Sequence, residues 1–152
     1  MKKSLILAVA AVALLGCNKK QEQTFSYNVD KFYDLEVLRF KVQGFEELTL
    51  QQKTMLYYLN EAALYGQDIV YDQNCRYNLR IRRALENVYV NYPNKDEEQF
   101  QLLELYLKRV WFSNGIYHHY SCRKFLPELT QEHFMELVRN VGMKDSEVAE
   151  LL

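Results

Sequence analysis

Between Trp111 and Pro127 the chain reads Trp-Phe-Ser-Asn-Gly-Ile-Tyr-His-His-Tyr-Ser-Cys-Arg-Lys-Phe-Leu-Pro, a helix exit running into a loop dense with rings, imidazoles and amides. Chemistry needs a nucleophile or a metal together with an acid or base, and the candidates are His118, His119, His133, Cys75, Cys122 and scattered carboxylates. His118 and Cys122 have a metal-ligand spacing, and Cys75 or His133 would complete a set of borderline-soft donors. Nothing in the spacing demands an ion, because adjacent residues such as His118 and His119 point in different directions on a regular backbone. Cys122 beside a histidine could form a thiolate pair, although Arg123 fits a plain surface loop equally well. No His-Glu-x-x-His pattern, glycine-rich phosphate loop or nucleophile elbow occurs. What remains is binding. Asn114 offers amide donors and acceptors, the residues around Gly115 expose backbone groups, and Tyr117, His119 and Tyr120 supply rings with polar tips. Such groups suit an extended peptide, held by edge hydrogen bonds and shallow side-chain pockets. The competing reading is structural: Tyr117, Tyr120 and Phe125 fold the loop back onto the helices, as most aromatics of small domains do.

The elements that must position this loop are helical. Thr49 followed by Gln52 forms a capping box, and Met55, Leu56, Leu59, Ala62, Ala63 and Ile69 recur at helical spacing, predicting a long helix over about 50–71, bent at Gly66. Asp72-Gln73-Asn74 breaks it. A second helix carries Leu79, Ala84, Leu85, Val88 and Tyr89 on one side and Arg80, Arg83 and Asn87 on the other, closed by Tyr92-Pro93-Asn94. Asp96 caps a third, with Glu97 and Glu98 in the first turn and an apolar stripe of Phe100, Leu103, Tyr106, Leu107, Val110 and Trp111; Gly115 stops it. Thr130 caps a shorter helix to about Val141, ended by Gly142, and Asp145 or Ser146 begins another bearing Val148, Leu151 and Leu152. The sequence stops after barely two turns of that helix, as one cut in mid-element would. Upstream, Phe32, Leu35, Val37, Leu38 and Phe40 predict a helix from Asp30 that turns extended near Arg39–Val42 and ends at Gly44; nothing in the chain reads as a hairpin. The expected class is all-α, an irregular array of about five helices with short loops.

Composition narrows the function. The 152 residues carry a formal charge of −1, with no basic cluster beyond Arg80-Ile81-Arg82-Arg83, so there is no electrostatic footprint for nucleic acid. Lys2 and Lys3 precede an unbroken apolar run, Leu5–Leu15, too short to span a bilayer as a helix. The run ends in Leu14-Leu15-Gly16-Cys17, which resembles the lipobox of bacterial lipoproteins. That resemblance implies removal of residues 1–16, lipid on the Cys17 thiol, a polar tether over 17–29, and a protein exported and lipid-anchored to the bacterial cell envelope. The mature chain loses two lysines, leaving 136 residues with formal charge −3, enough for one hydrophobic core. Export permits a disulfide between Cys75 and Cys122, and two free thiols fit as well.

Longer stretches carry a second resemblance. Phe45-Glu46-Glu47-Leu48-Thr49-Leu50-Gln51-Gln52-Lys53, Tyr57-Tyr58-Leu59-Asn60-Glu61-Ala62-Ala63-Leu64, Asp72-Gln73-Asn74, Tyr77-Asn78-Leu79-Arg80-Ile81-Arg82-Arg83 and Tyr106-Leu107-Lys108-Arg109-Val110-Trp111-Phe112-Ser113-Asn114-Gly115 are similar to the N-terminal part of bacterial dipeptidyl peptidase III proteins. The resemblance covers roughly residues 30–137. Members of that family are zinc exopeptidases of two lobes across a cleft, which remove dipeptides from the N-terminus of short peptides. Their zinc sits on a His-Glu-x-x-Gly-His helix with a later glutamate, neither of which occurs in residues 1–152. The resemblance therefore implies that residues 30–152 are helical lower-lobe scaffold of a larger enzyme, whose C-terminal lobes and zinc lie elsewhere; no metal or catalytic role falls to these residues. It further implies that the loop of Asn114, Tyr117, His119 and Tyr120 faces the cleft and touches substrate near its N-terminal residues. The family's Lys-Phe-Val-Pro appears as Lys124-Phe125-Leu126-Pro127, and Ser121-Cys122 stands where many members show Gly-Asp.

Overall fold

The computed structural model describes residues 25–149. The lipobox with Cys17, residues 17–24 of the tether, and Leu151 and Leu152 lie outside the described residues. The chain divides between Phe40 and Lys41 into two compact units.

The first unit corrects the sequence reading. In place of a helix over residues 30–42, β1 (Asn28–Phe32) and β2 (Leu35–Leu38) form an antiparallel hairpin. Phe32 pairs with Leu35 and Asp30 with Val37, so alternation across a two-residue turn puts these four on one face, with the opposed charges of Lys31 and Glu36 directly paired on the other. Tyr33 turns the chain at φ 51, a left-handed conformation usually held by Gly or Asn. The usual hairpin signature is therefore missing from the sequence.

The second unit is helical, as expected. A 3-10 turn (Phe45–Glu47) leads into α1 (Leu50–Asn74), followed by α2 (Asn78–Asn91), α3 (Glu98–Ser113), α4 (Gln131–Asn140) and the single turn α5 (Asp145–Val148). Thr49 and Gln52 close the capping box: Gln52 N–H donates to Thr49 Oγ1 at 3.3 Å, and Thr49 N–H to Gln52 Oε1 at 2.9 Å. Thr130 accepts from His133 N–H at 3.3 Å in the same way. The cap of α3 is Glu97 rather than Asp96, its carboxylate taken by the Tyr92 hydroxyl at 2.5 Å and the Asn94 amide at 2.9 Å. Helix α1 also runs through Gly66 and through Asp72-Gln73-Asn74, ending at an extended Cys75.

The core lies between α2, α3 and α4. Val88, Leu103, Leu107, Val110 and Val138 are inaccessible to solvent, and Phe100, Leu137 and Phe125 nearly so. Tyr89 and Tyr92 both stack on Phe100, at 5.9 and 5.6 Å, and Trp111 meets Tyr89 edge-on at 5.5 Å. Burying side chains of this size is worth about 1.5–3 kcal/mol each, which makes this layer the main source of stability.

Helix α1 stands apart from that core. Its last turns are pinned to α2: Asp68 accepts from Arg82 at 2.7 Å and Arg83 at 2.8 Å, and the Arg82 guanidinium lies 4.6 Å over the ring of buried Tyr71. From Leu50 to Val70, however, no residue of α1 is buried. The predicted apolar positions Met55, Leu56, Leu59, Ala62, Ala63 and Ile69 are all exposed.

Candidate functional site

The loop after α3 is built from its first two residues. Asn114 caps the helix in the left-handed region (φ 53, ψ 40), a conformation that asparagine tolerates better than other residues with a side chain. Gly115 N–H then returns to Val110 O at 3.0 Å. Gly115 sits at φ 147, and a Cβ there would fall 2.1 Å from Asn78 Nδ2, so glycine is required for both conformation and space.

Asn78, at the first turn of α2, is wholly buried. Its Nδ2 donates to Tyr71 O at 3.1 Å, and its Oδ1 accepts from Ile116 N–H at 3.1 Å. One amide thus ties the end of α1, the start of α2 and the exit of α3 together. Beyond Ile116 the loop doubles back: Phe125 N–H donates to Ile116 O and His118 N–H to Arg123 O, each at 2.8 Å, with Tyr117 opposite Lys124. Ser121 N–H closes the tip on His118 O at 3.0 Å, and Tyr120 N–H donates to His118 Nδ1 at 3.1 Å.

Three of the four residues singled out from sequence, Asn114, Tyr117 and His119, line a concavity of 460 Å³. Asn74, Asn78, Ser113 and Gly115 complete its helical side, and His118, Ser121 and Cys122 its loop side. None of these described lining residues is Asp, Glu, Lys or Arg. Gln67 of α1 reaches Asn114 Oδ1 at 3.5 Å, a long bond. Ser113, 5% exposed, carries a hydroxyl with no hydrogen-bond partner. Tyr120, the fourth residue, stands outside the concavity, 88% exposed, with its ring 4.2 Å from that of His119.

The imidazoles correct a second expectation. The loop is not regular backbone, and its tight tip lays the His118 and His119 rings against each other at 4.4 Å and 21° instead of splaying them. Phe112 flanks His119 at 5.2 Å and Phe125 flanks His118 at 6.0 Å, so the pair is clasped in an aromatic row. The structural reading of the aromatics holds for Phe125, which is buried, and fails for Tyr120. Cys75 is half-buried and Cys122 exposed, and both are free thiols.

Among the described residues no group of three or more His, Cys, Asp or Glu could hold a metal ion. Two stacked imidazoles cannot both aim lone pairs at one ion, so His118 and His119 do not form a ligand pair in this arrangement. Among the described residues no helix is long and apolar enough to cross a membrane.

Asn74, Asn78, Ser113 and Ser121 were not picked out from sequence, and His118 and Cys122 were candidates for metal or thiolate chemistry rather than for peptide contact. Asn78 meets Ile116 across 38 positions, and no local pattern marks such a pairing. Ser113 was legible only as a polar residue one turn beyond the apolar stripe of α3. No protein-family model and no curated protein matches this chain.

Proposed function

We propose that this chain is the N-terminal, substrate-cleft part of a lipid-anchored, zinc-dependent dipeptidyl peptidase that removes dipeptides from the N-terminus of short peptides. The catalytic zinc would be supplied by C-terminal lobes of the same enzyme, outside residues 1–152, and the membrane would be reached through lipid on Cys17. The peptide-binding part of the proposal is carried by one observation: Asn114, Tyr117 and His119 converge on one ring-walled concavity whose described lining holds no Asp, Glu, Lys or Arg. Helix α1 supports membership of a larger body. Leu56-Tyr57-Tyr58-Leu59 spreads bulky apolar groups around its whole circumference, and all four are exposed. An exposed cluster of bulky apolar side chains like this one marks a surface that other protein covers.

A second reading, a stand-alone helical lipoprotein that binds peptides or assembles with partners without catalysis, draws on the closed core of α2, α3 and α4. The coding DNA beyond the codon for Leu152 separates the two. A frame continuing into His-Glu-x-x-Gly-His and a later glutamate is the expected result. A stop codon with no such motif downstream would sink the peptidase and leave the binding module.

A further inference from the structure

We infer that the concavity beside Ser113 takes the uncharged interior of a peptide, its amide groups and small side chains, and not the charged N-terminal ammonium. The inference rests on the peptide-contact part of the proposal above and narrows it. At 460 Å³ the concavity falls within the range of roughly 300–1,000 Å³ common to small-ligand sites.

Its lining decides the class of ligand. An ammonium drawn out of water is held best by a carboxylate. The described lining offers neither Asp nor Glu. It does offer side-chain amides and hydroxyls, which match the paired donor and acceptor of a peptide group. The Asn78 amide is already committed, to Tyr71 O and Ile116 N–H. Asn114 is differently placed: it shares its Oδ1 in a 3.5 Å bond to Gln67 that a better partner would displace. His118 and His119 line the loop side, one face of each ring covered by the other. The residues that recognise an N-terminal ammonium then belong to another part of the cleft, which narrows the expectation that this loop touches substrate near its N-terminal residues.

Cys122 gives a direct test, because it is exposed and lines the concavity whereas Cys75 does not line it. The full chain in detergent micelles is alkylated with iodoacetamide, and the rate at each thiol is read by peptide mass spectrometry. Two probes with the same side chains are compared: N-acetyl-dialanine amide, which is uncharged, and zwitterionic dialanine. The uncharged probe is expected to slow alkylation of Cys122 severalfold with Cys75 as unaffected reference, dialanine to have little effect, and Asn114→Gly, which keeps the left-handed backbone, to raise the half-protecting concentration by about three- to tenfold, the range for one neutral hydrogen bond. Equal or stronger protection by dialanine would overturn the inference while leaving peptide contact at this loop intact. Protection by neither probe would overturn both.

Discussion

Replacing Asn78 by alanine tests the architecture of the site at its narrowest point. The side chain is fully buried and makes two hydrogen bonds of 3.1 Å, to Tyr71 O and from Ile116 N–H. Alanine would strand a carbonyl and an amide away from water, at about 1–3 kcal/mol each, and leave a void of amide size worth about 1 kcal/mol more. The expected loss is about 4 kcal/mol, which at a slope of about 2 kcal/mol/M lowers the urea midpoint by about 2 M. Trp111 is the single tryptophan and donates to Glu86 at 2.8 Å within the helical unit, so its fluorescence follows that unit. Gly115→Ala should also destabilise, because its Cβ would sit 2.1 Å from Asn78 Nδ2. The collision disappears when Asn78 is also alanine, so the double variant should be more stable than the two single losses predict, by more than about 1 kcal/mol. An Asn78→Ala chain within about 0.5 kcal/mol of the parent, or strictly additive losses, would refute the clamp.

Tyr106 is held neutral by burial, its phenol pushed up from 10.0 to about 12. The unfolded chain gives up that proton first, so stability is full below pH 10 and falls by about 3 kcal/mol as pH rises through 12. Tyr71 and Tyr92 are pushed up as well, so the assignment is made by difference: Tyr106→Phe should remove a late-ionising component from the tyrosinate absorbance, and no such loss would contradict the burial. Hydrogen bonding from Arg83, then from Arg82, holds the Asp68 carboxyl below its ordinary value. Asp68→Asn should therefore lower the urea midpoint at neutral pH and lose this effect as pH falls below the folded carboxyl's range; a pH-independent deficit would assign the loss to shape instead. Phe125→Ala removes a buried ring that carries the Arg109 guanidinium at 4.1 Å, and should cost about 3–5 kcal/mol by urea unfolding. Amides of residues 54–66 should exchange with solvent faster than those of α2 and α3, because that stretch of α1 packs against no core; equal protection in the isolated chain would count against an outer helix awaiting cover.

Local chemistry was readable from the residues alone. The Thr49 and Thr130 caps and the stripe of α3 emerge because each depends on groups within a few positions, which the sequence displays side by side. The reading erred where a local cue was replaced by an unusual one. Tyr33 turns the hairpin in a conformation that glycine or asparagine would have announced, and Glu97 stands at the N-cap of α3 with its carboxylate held by Tyr92 and Asn94 instead of by the helix's free N–H groups. At the candidate site, composition singled out Asn114, Tyr117, His119 and Tyr120 as residues with binding chemistry, and tertiary structure sorted them. Three line the concavity, while Tyr120 stands outside it against His119. Beyond Thr49 the sequence determined which stretches would be helical and which loop would be rich in polar rings, since backbone propensity and side-chain type are properties of neighbours. Only the tertiary structure decided that α1 stays uncovered, that the two imidazoles stack, and that Asn78 locks the loop, because those outcomes depend on which surfaces meet across dozens of residues.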